Sequence, residues 1–433
     1  MITKDRIKSI AQEVGFHASG ITQIKPIPQA ESALREWTEQ GKHGEMKYLE
    51  NFEKRKNDFW NRFPNAKSIV VLGVNYYSAN ACHSAPTSNK RLKRVRAAQN
   101  EESKMSFPHV LGGNPKFGFP THFRRGTSSS SPNTFGDERH IIVDNVKVAT
   151  IGAGALAPAL GASAKTFGDD RGVTGRVARY AWGRDYHKLI SEKIEVFKAK
   201  LRHETSDEIY FESAVDTKPL LERTLGQQAG LGFIGKQTQL LSLQFGPWLF
   251  LSELITNLEL EPDQPYSGSC GTCRLCIDEC PTEAIEESGR IDARKCIAYL
   301  TIEHKTEIPE EFRSKIDDRI FGCDECLNVC PYAAKQKETT WRELTSEKGF
   351  GPKLNLLELF NSKSNRQHER QFQDAAISRA NRKQLLRNAA IVLGNKADKS
   401  VLPDLRRAMS EVPSMVKNHI QWAIQEIENR NQD

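Results

Sequence analysis

The chain has 433 residues, of which 38% are hydrophobic and 27% are charged. That length suggests two or three domains and is enough to bury sizeable cores. No run approaches the roughly 18 apolar residues that a membrane-spanning helix needs. The start, "MITKDRIKSIAQEVGF", has no apolar signal region and no twin-arginine pair. We therefore expect a soluble, cytoplasmic and monomeric protein without a membrane partner.

The net charge of +7 is unevenly distributed along the chain. Residues 88–175 carry 13 basic against 7 acidic side chains, and residues 361–433 carry 13 against 8. These excesses of +6 and +5 leave about −4 (7 − 6 − 5) for the remainder. A localised basic face is typical of nucleic-acid binding, but a solvated helical surface would give the same charge. Charge alone leaves both interpretations open.

The first two hundred residues alternate between helical and strand patterns, with one interruption. The N-terminal sixteen residues predict a helix, and "SIVVLGVNYY" at residues 68–77 predicts a strand buried on both faces. Residues 88–175 are rich in Gly, Ser, Pro and Arg, which favours a long irregular and disordered insertion. A helix at about residues 185–202 and the strand "EIYFESAVD" follow.

Residues 353–433 predict a helical tail. In "RKQLLRNAAIVLGN" the Leu and Ala side chains form one stripe, and Gly394 predicts the end of that helix. The segments "SVLPDLRRAM" and "VKNHIQWAIQEI" predict two more helices. Short helices with short connections indicate a HEAT-like helical repeat.

Seven of the nine cysteines lie in two short runs, "CGTCRLCIDECP" and "CDECLNVCP". The first run has the full spacing of a bacterial ferredoxin, in which three cysteines bind one [4Fe–4S] cluster and the fourth ligates another. The second run lacks one cysteine, and the cysteine of "DARKCIAYL" is the nearby candidate. A zinc site would usually pair two CxxC units and needs no second run ending in Cys-Pro. The predicted ligands are Cys270, Cys273, Cys276 and Cys330 for one cluster, and Cys280, Cys296, Cys323 and Cys326 for the other, with Cys82 left over.

Six motifs after the insertion occur in a characteristic order: "RYAWGRDYH", "VDTKPLLER", "AGLGFIGKQT", "CGTCRLCIDECPTEAI", "DARKCIAYLTIE" and "RIFGCDECLNVCP". Together with "HGEMKYLE" near the start, they make the chain resemble the epoxyqueuosine reductases, cobalamin-dependent iron–sulfur enzymes that complete queuosine in tRNA. The similarity covers nearly all of the chain outside residues 88–175.

The resemblance implies a mixed fold, α+β or α/β, with three domains. Residues 1–265 would form a cobalamin-binding catalytic α/β domain that carries the insertion. Residues 266–335 would form a ferredoxin-like module with two [4Fe–4S] clusters. Residues 353–433 would form the HEAT-like tail that contacts tRNA.

The implied reaction reduces epoxyqueuosine to queuosine at the wobble position of tRNA. Cobalamin would act on the epoxide, with electrons delivered by the two clusters from an external low-potential donor. The implied proton donor is Asp216, which would need a raised pKa, most plausibly from burial against the corrin. Spacing alone would instead make Asp216 an N-cap for the helix that follows.

The resemblance also implies residues at the cofactor and at the RNA. Those that would line or flank cobalamin are Arg55, Arg179, Tyr180, Asp185, Tyr186, His187, Lys236, Gln237 and Thr238. Arg223 would contact RNA near the target base. In the tail, the net charge of +5 and the helical pattern lead us to expect that Arg382, Lys383 and Arg387 contact phosphates of the anticodon stem-loop, which set position and not sequence.

Two other functions fit part of the sequence. A cobalamin-dependent reductive dehalogenase shares the plan of one corrin and two clusters, but such enzymes usually carry a twin-arginine signal and lack a basic helical tail. A non-catalytic iron–sulfur electron carrier would be favoured if the purified chain bound no corrin.

Overall fold

The computed structural model describes residues 2–79, 173–206, 208–335 and 337–430, which belong to one compact unit. Cys82 and nearly all of the predicted insertion lie outside these ranges. The strands are β1 Ala18–Gln23, β2 Ser68–Asn75, β3 Thr174–Val177, β4 Phe211–Ala214, β5 Phe233–Ile234, β6 Leu240–Leu241, β7 Leu249–Thr256, β8 Arg319–Phe321 and β9 Lys353–Asn355.

The helices include most of those that the sequence predicts. They are α1 Lys4–Val14, α2 Pro28–Glu39, α3 Phe52–Trp60, α4 Tyr186–His203, α5 Glu222–Gln228, α6 Leu275–Asp278, α7 Ile297–Ile302, α8 Glu310–Ile316, α9 Glu325–Asn328, α10 Leu356–Phe360, α11 Asn365–Phe372, α12 Arg382–Lys396, α13 Leu402–Ala408 and α14 Ser414–Asn429. In the ranges given above, no helix has an apolar stretch long enough to cross a bilayer.

The main sheet has the strand order β1-β2-β7-β4, with every neighbouring pair antiparallel. Strand β2 is buried at all eight positions, which confirms the predicted buried strand although it ends at Asn75. Residues of β7 alternate between two apolar layers: Phe250 and Leu254 face the layer of α1 and α4, and Leu251 and Ile255 face the layer of α5. Both faces of the sheet are therefore covered.

A second sheet corrects the predicted end of the insertion. It has the order β8-β3-β9, with β3 parallel to β8 and antiparallel to β9. Thr174 and Gly175 are part of β3, so the boundary at residue 175 is wrong. A four-residue strand between turn-like residues gives too short a periodic signal to be recognised in the sequence.

Helix α12 is buried on all sides and is the centre of the tail. Its N-terminus has a capping box between Asn381 and Gln384, and residues 384–394 are all buried. Gly394 does not end the helix, which continues to Lys396. A Cβ atom at Gly394 would lie 2.7 Å from Cζ3 of Trp422 on α14, so this glycine permits close packing of two helices. Gly394 therefore serves helix packing, and the prediction that it ends the helix is wrong.

The predicted domains share hydrophobic cores. One core joins Trp182, helices α7 and α8 and the tail helices, and a second joins the main sheet to Leu327 and Cys330 of the cysteine runs. Because apolar side chains from all three predicted segments pack together, the cysteine runs are held between the main sheet and the tail.

Candidate active site and cluster ligands

Asp216 lies just beyond β4, next to the start of α4. Its Oδ2 accepts a hydrogen bond from Tyr186 Oη at 2.9 Å and lies 3.2 Å from His187 Nε2. Its backbone is left-handed, with φ of 55°, and 57% of its side chain is exposed. Asp216 is not the N-cap of α5, which begins after Leu221. The structure therefore brings together three residues that the sequence predicted for one site.

His187 is fixed on both sides by carboxylates. Asp185 is the N-cap of α4, where its Oδ1 accepts from His187 N at 3.0 Å and lies 2.8 Å from His187 Nδ1. Burial opposes the imidazolium, but hydrogen bonds to Asp185 and Asp216 outweigh burial and raise the pKa of His187 to about 9. His187 therefore carries a proton at neutral pH.

The protein groups around Asp216 lower its pKa, and the raised value expected from burial against the corrin stays a prediction. The hydrogen bond from His187 is the largest cause, and it outweighs the effect of burial; Tyr186 adds a second hydrogen bond. Burial and the charge of Asp216 raise the pKa of Tyr186. The exchangeable protons of this group therefore reside on His187 and Tyr186, with Asp216 as their common acceptor.

The loop Gly235–Thr238 connects this group to the cysteine runs. Lys236 N donates to Cys270 Sγ at 3.4 Å, and the buried Gln237 directs Nε2 toward Cys330 Sγ at 3.9 Å. At its other end, Thr238 O accepts from Arg223 Nη1 at 3.0 Å. Thr238 has a φ of 67°, a conformation that costs a β-branched residue about 1–3 kcal/mol. The loop is thus held in a strained conformation between the cysteines and the acidic group.

The four thiols predicted for the first cluster lie close together. Burial, followed by the nearby thiols of Cys270 and Cys273, raises the pKa of Cys276 to about 11. Burial also raises the pKa of Cys330 to about 12, with Cys270, Cys276 and Cys273 adding to it. Such thiols become stable thiolates only when cations are bound, which is the chemistry of a cluster site.

The other four predicted ligands also act on one another. Burial raises the pKa of Cys326, and Cys323, Cys296 and Cys276 of the first set add to it. Cys296 in turn interacts with Cys280, whose Sγ accepts from Ala284 N at 3.3 Å. Thiolates are the donors that [4Fe–4S] clusters require, and the assignment of Cys280 and Cys330 to opposite clusters stays a prediction.

The residues predicted for cobalamin differ in exposure. Arg179 is buried, its guanidinium lying over the rings of Tyr77, Trp182 and Trp248, and Gln237 is buried beside the first cysteine group. The half-buried residues, which a ligand could reach, are Arg55, Tyr180, Asp185, Tyr186, His187, Lys236 and Thr238.

The sequence did not point to Tyr48 and Arg379, which flank the same site. Tyr48 is 45% exposed, and the charges of Asp216 and Arg55 both act on its hydroxyl. Arg379 is paired with Glu303 at 2.8 Å, and its charge interacts with Asp216. Tyr48 is the aromatic residue of "HGEMKYLE", so an exposed aromatic within a matching motif was the available signal.

The four residues predicted to contact RNA have different environments. Arg223 and Lys383 are exposed, and Arg382 is half-buried with its Nε on Ser362 O. Arg387 is fully buried, and its guanidinium donates to the carbonyl groups of Leu300, His304 and Thr306. The prediction that Arg387 contacts phosphates is therefore wrong, because its side chain points into the core.

Two family models match the chain. The model "4Fe-4S double cluster binding domain" matches residues 269–333, so the chain contains a double [4Fe–4S] cluster-binding domain. The model "Epoxyqueuosine reductase QueG, DUF1730" matches residues 159–217. The second match begins inside the predicted insertion, so residues 159–175 belong to the family pattern and not to the insertion.

Solved structures share the fold. The chain is similar to epoxyqueuosine reductase from Streptococcus thermophilus with a TM-score of 0.69 and 25% identity, covering 99% of this chain and 91% of that one. The Bacillus subtilis enzyme gives a TM-score of 0.68 with 26% identity, over 98% and 90%. A third, solved with an epoxyqueuosine-modified tRNA-Tyr stem loop, is 23% identical with a TM-score of 0.63, over 98% of each chain.

Sequence relatives cover nearly the full chain. Epoxyqueuosine reductase from Xanthomonas campestris is 29% identical over 420 residues, which is 97% of this chain and 94% of that protein. Epoxyqueuosine reductase from Escherichia coli K12 is 39% identical over 433 residues, which is 98% of this chain and 90% of that protein. With this identity along its whole length, the chain belongs to the epoxyqueuosine reductase family.

Proposed function

We propose that the chain reduces epoxyqueuosine to queuosine at the wobble position of a tRNA anticodon stem-loop, with cobalamin and two [4Fe–4S] clusters as cofactors. Family membership supports the reaction, and the relative solved with a modified tRNA stem loop supports the RNA substrate. An external low-potential donor supplies the electrons.

One observation carries the proposal. The loop Gly235–Thr238 contacts Cys270 and Cys330 at one end and, through Arg223, approaches Asp216 at the other. Two predicted cluster ligands thus contact the same four-residue loop as Arg223, whose charge acts on Asp216. That arrangement suits a reductase whose substrate gains electrons and protons in the same place.

The reaction needs two electrons and two protons, because the epoxide oxygen leaves as water and an alkene remains. When bound, the clusters supply single electrons and cobalamin supplies a cobalt nucleophile or one-electron donor. We assign proton delivery to Asp216, as the family resemblance implies. The proton on His187 Nε2 can pass to Asp216 Oδ2 over 3.2 Å, and Tyr186 orients that oxygen.

The residues around this group fit a corrin that has no protein ligand on cobalt. Both ring nitrogens of His187 lie within hydrogen-bond distance of carboxylates, so the imidazole offers no lone pair to a metal. The half-buried phenols of Tyr180 and Tyr186 and the hydroxyl of Thr238 would hold the macrocycle by contact. Arg179 and Gln237 would support the site from beneath.

We propose that the RNA is held by Arg223 near the target base and by Lys383 and Arg382 of a HEAT-like tail. Lys383 is exposed at the start of α12. Other basic residues of the tail are engaged in ion pairs, Lys396 with Asp317, Arg406 with Glu428 and Arg407 with Asp404. The domain division at residues 1–265, 266–335 and 353–433 remains part of this proposal.

The test is anaerobic purification of the full chain, with iron and cobalt analysis, followed by mass spectrometry of an epoxyqueuosine-containing stem-loop. We expect reduction by the parent and at least about a 100-fold loss of rate in Asp216→Asn. Asp404→Asn, far along the tail, is the matched control and should keep the parent rate. A chain that binds iron but no corrin would support the electron carrier, and reduction of an organohalide alone would support the dehalogenase.

A further inference from the structure

Glu253 is a carboxyl group in the centre of the main sheet. It lies on β7, opposite Val71 of β2 and Ala214 of β4. Its exposure is 0%, and neither of its oxygens has a hydrogen-bond partner among the described residues. An ionised carboxylate in such a place costs several kcal/mol, so the group stays protonated or shares a proton.

Glu222 shares a layer of the fold with Glu253. Leu225 of α5 packs with Leu251 and Ile255 of β7, which flank Glu253 on the same face of that strand. Glu222 precedes Leu225 by three residues on α5 and therefore lies on the same face of that helix. Both side chains therefore belong to the layer between α5 and the sheet, where the charge of Glu222 acts on Glu253.

Glu222 also contacts the loop that carries Asp216. Its Oε1 accepts a hydrogen bond from the backbone N of Asp216 at 2.7 Å. The left-handed backbone of Asp216 is what turns this N–H toward α5 while the carboxylate points to His187 and Tyr186. Glu222 therefore lies between the buried Glu253 and the exposed Asp216.

The charges around the pair favour retention of a proton. Burial raises the pKa of Glu253, and the groups that add to this are Glu222 and Asp216, both acidic. Burial and Asp216 raise the pKa of Glu222, against the opposing effects of Asp216 N–H, Arg223 and His187. Carboxyl groups so close in a low dielectric do not all ionise together.

We propose that Glu222 and Glu253 store a proton that passes to Asp216 during turnover, so that the chain itself supplies the second of the two protons that the reaction consumes. This inference rests on the proposed function. His187 can deliver one proton to Asp216, and the carboxyl pair delivers the other. Bound RNA would cover the exposed side of Asp216. A proton could then reach Asp216 only from the interior of the protein, where the two glutamates lie.

The step is a simple proton transfer. The Glu222 side chain turns from the Asp216 N–H toward the Asp216 carboxylate, the O–H bond of the Glu222 carboxyl breaks, and an O–H bond forms on that carboxylate. Glu222 then turns toward Glu253 and takes its proton, and the pair is refilled from solvent after the product leaves. No atom changes oxidation state. Both residues act on the substrate only through Asp216.

The experiment compares parent, Glu253→Gln and Glu222→Gln, each the full chain with its cofactors, on an epoxyqueuosine stem-loop from pH 6 to pH 9. We expect kcat to fall at least about 10-fold in both variants with KM unchanged. We also expect the variants to lose rate at lower pH than the parent. Ser252→Ala is the matched control, a buried neighbour on β7 whose hydroxyl has no partner among the described residues, and it should behave as the parent.

A second measurement does not depend on turnover. The infrared difference spectrum between H2O and D2O should show a protonated carboxylic acid in the RNA-free parent at pH 7, and this band should be missing in Glu253→Gln. A kcat and pH profile equal to those of the parent, or an unchanged band, would overturn the proposal. If Glu253→Gln does not fold, Glu222→Gln decides by kcat and the pH profile, because Glu253 keeps its proton and its infrared band in that variant.

The two levels of inference fail differently. If neither parent nor variants reduce the stem-loop, the proposed function is wrong. The infrared band then decides the storage of the proton by itself, and its presence in the parent with loss in Glu253→Gln supports the pair.

Discussion

At the scale of single residues, hydrogen bonding outweighs burial in setting the protonation of the site. Asp216 is surrounded by buried groups, yet two donors hold its pKa down and place the proton on His187. The expectation of a raised pKa considered the corrin and omitted His187. A site that keeps its proton on a neighbouring imidazolium can still protonate an epoxide, because the transfer over one hydrogen bond is short.

Replacing His187 should change the pH dependence of stability. The folded-state pKa of about 9 exceeds the ordinary value near 6.5, so the stabilisation is complete below about pH 6.5 and disappears as pH rises through 9. We expect the free energy of unfolding of the parent to exceed that of His187→Gln by about 1–2 kcal/mol at pH 6, a value reduced for solvent screening. At pH 10 we expect the two free energies to be nearly equal. Denaturant unfolding at both pH values measures this. A constant difference would exclude the charged pair.

Arg387 illustrates how a charged residue in the core can be mistaken for a surface residue. Arg387→Met removes the donors of three hydrogen bonds to backbone carbonyl groups and of two to Asn388 Oδ1, and should cost about 3–5 kcal/mol. Lys383→Glu, four residues earlier and exposed, should change stability by no more than about 0.5 kcal/mol. Thermal unfolding of the full chains distinguishes the two.

In salt titrations Lys383→Glu should weaken tRNA binding and reduce the salt slope by about 1, and unchanged binding would exclude a phosphate contact there.

At the scale of elements, local sequence patterns predicted individual helices and strands well. They did not predict which strands become neighbours in a sheet. Helix α4, strand β2 and the tail helices follow from apolar periodicity, because each pattern is contained in one stretch of chain. The carboxyl pair was missed because it depends on which strands become neighbours. Strand β3 was missed because its partners lie more than 140 residues further on.

The insertion can now be tested with better boundaries. Replacing residues 88–158 by a short Gly/Ser linker keeps the family segment from residue 159 and all of β3. We expect soluble protein with the parent iron content, because the removed segment is rich in Ser, Gly and Pro. Extending the deletion through Val177 removes β3 and should abolish solubility. Insoluble protein from the shorter deletion would show that the segment is structural.

At the scale of the whole molecule, the two cysteine runs interact across the fold. Cys330 of the second run interacts with Cys270, Cys276 and Cys273, and Cys280 of the first run interacts with Cys296. The crossover of Cys280 and Cys330 between two clusters stays a prediction from the ferredoxin-type spacing. Spacing could not show that the loop Gly235–Thr238 contacts Cys270 and Cys330.

Cys296 tests the grouping. Cys296→Ser should remove or convert one cluster only, so that at least half of the iron remains and the electron paramagnetic resonance spectrum of one cluster is unchanged. Cys82→Ser, at the cysteine that the sequence predicts to bind neither cluster, is the matched control and should retain all of the iron. Full iron content and an unchanged spectrum in Cys296→Ser would show that Cys296 is not a ligand.

The position of β3 has a consequence for synthesis on the ribosome. This strand leaves the exit tunnel long before its two neighbours, β8 and β9, have been translated. Until residue 321 emerges both edges of β3 stay unpaired, and until residue 355 emerges the edge that pairs with β9 stays open to association with other chains. We expect nascent chains arrested before residue 355 to be cut readily by protease near Val177, and chains released at full length to resist. Resistance in the arrested chains would mean that β3 is protected by something other than its sheet.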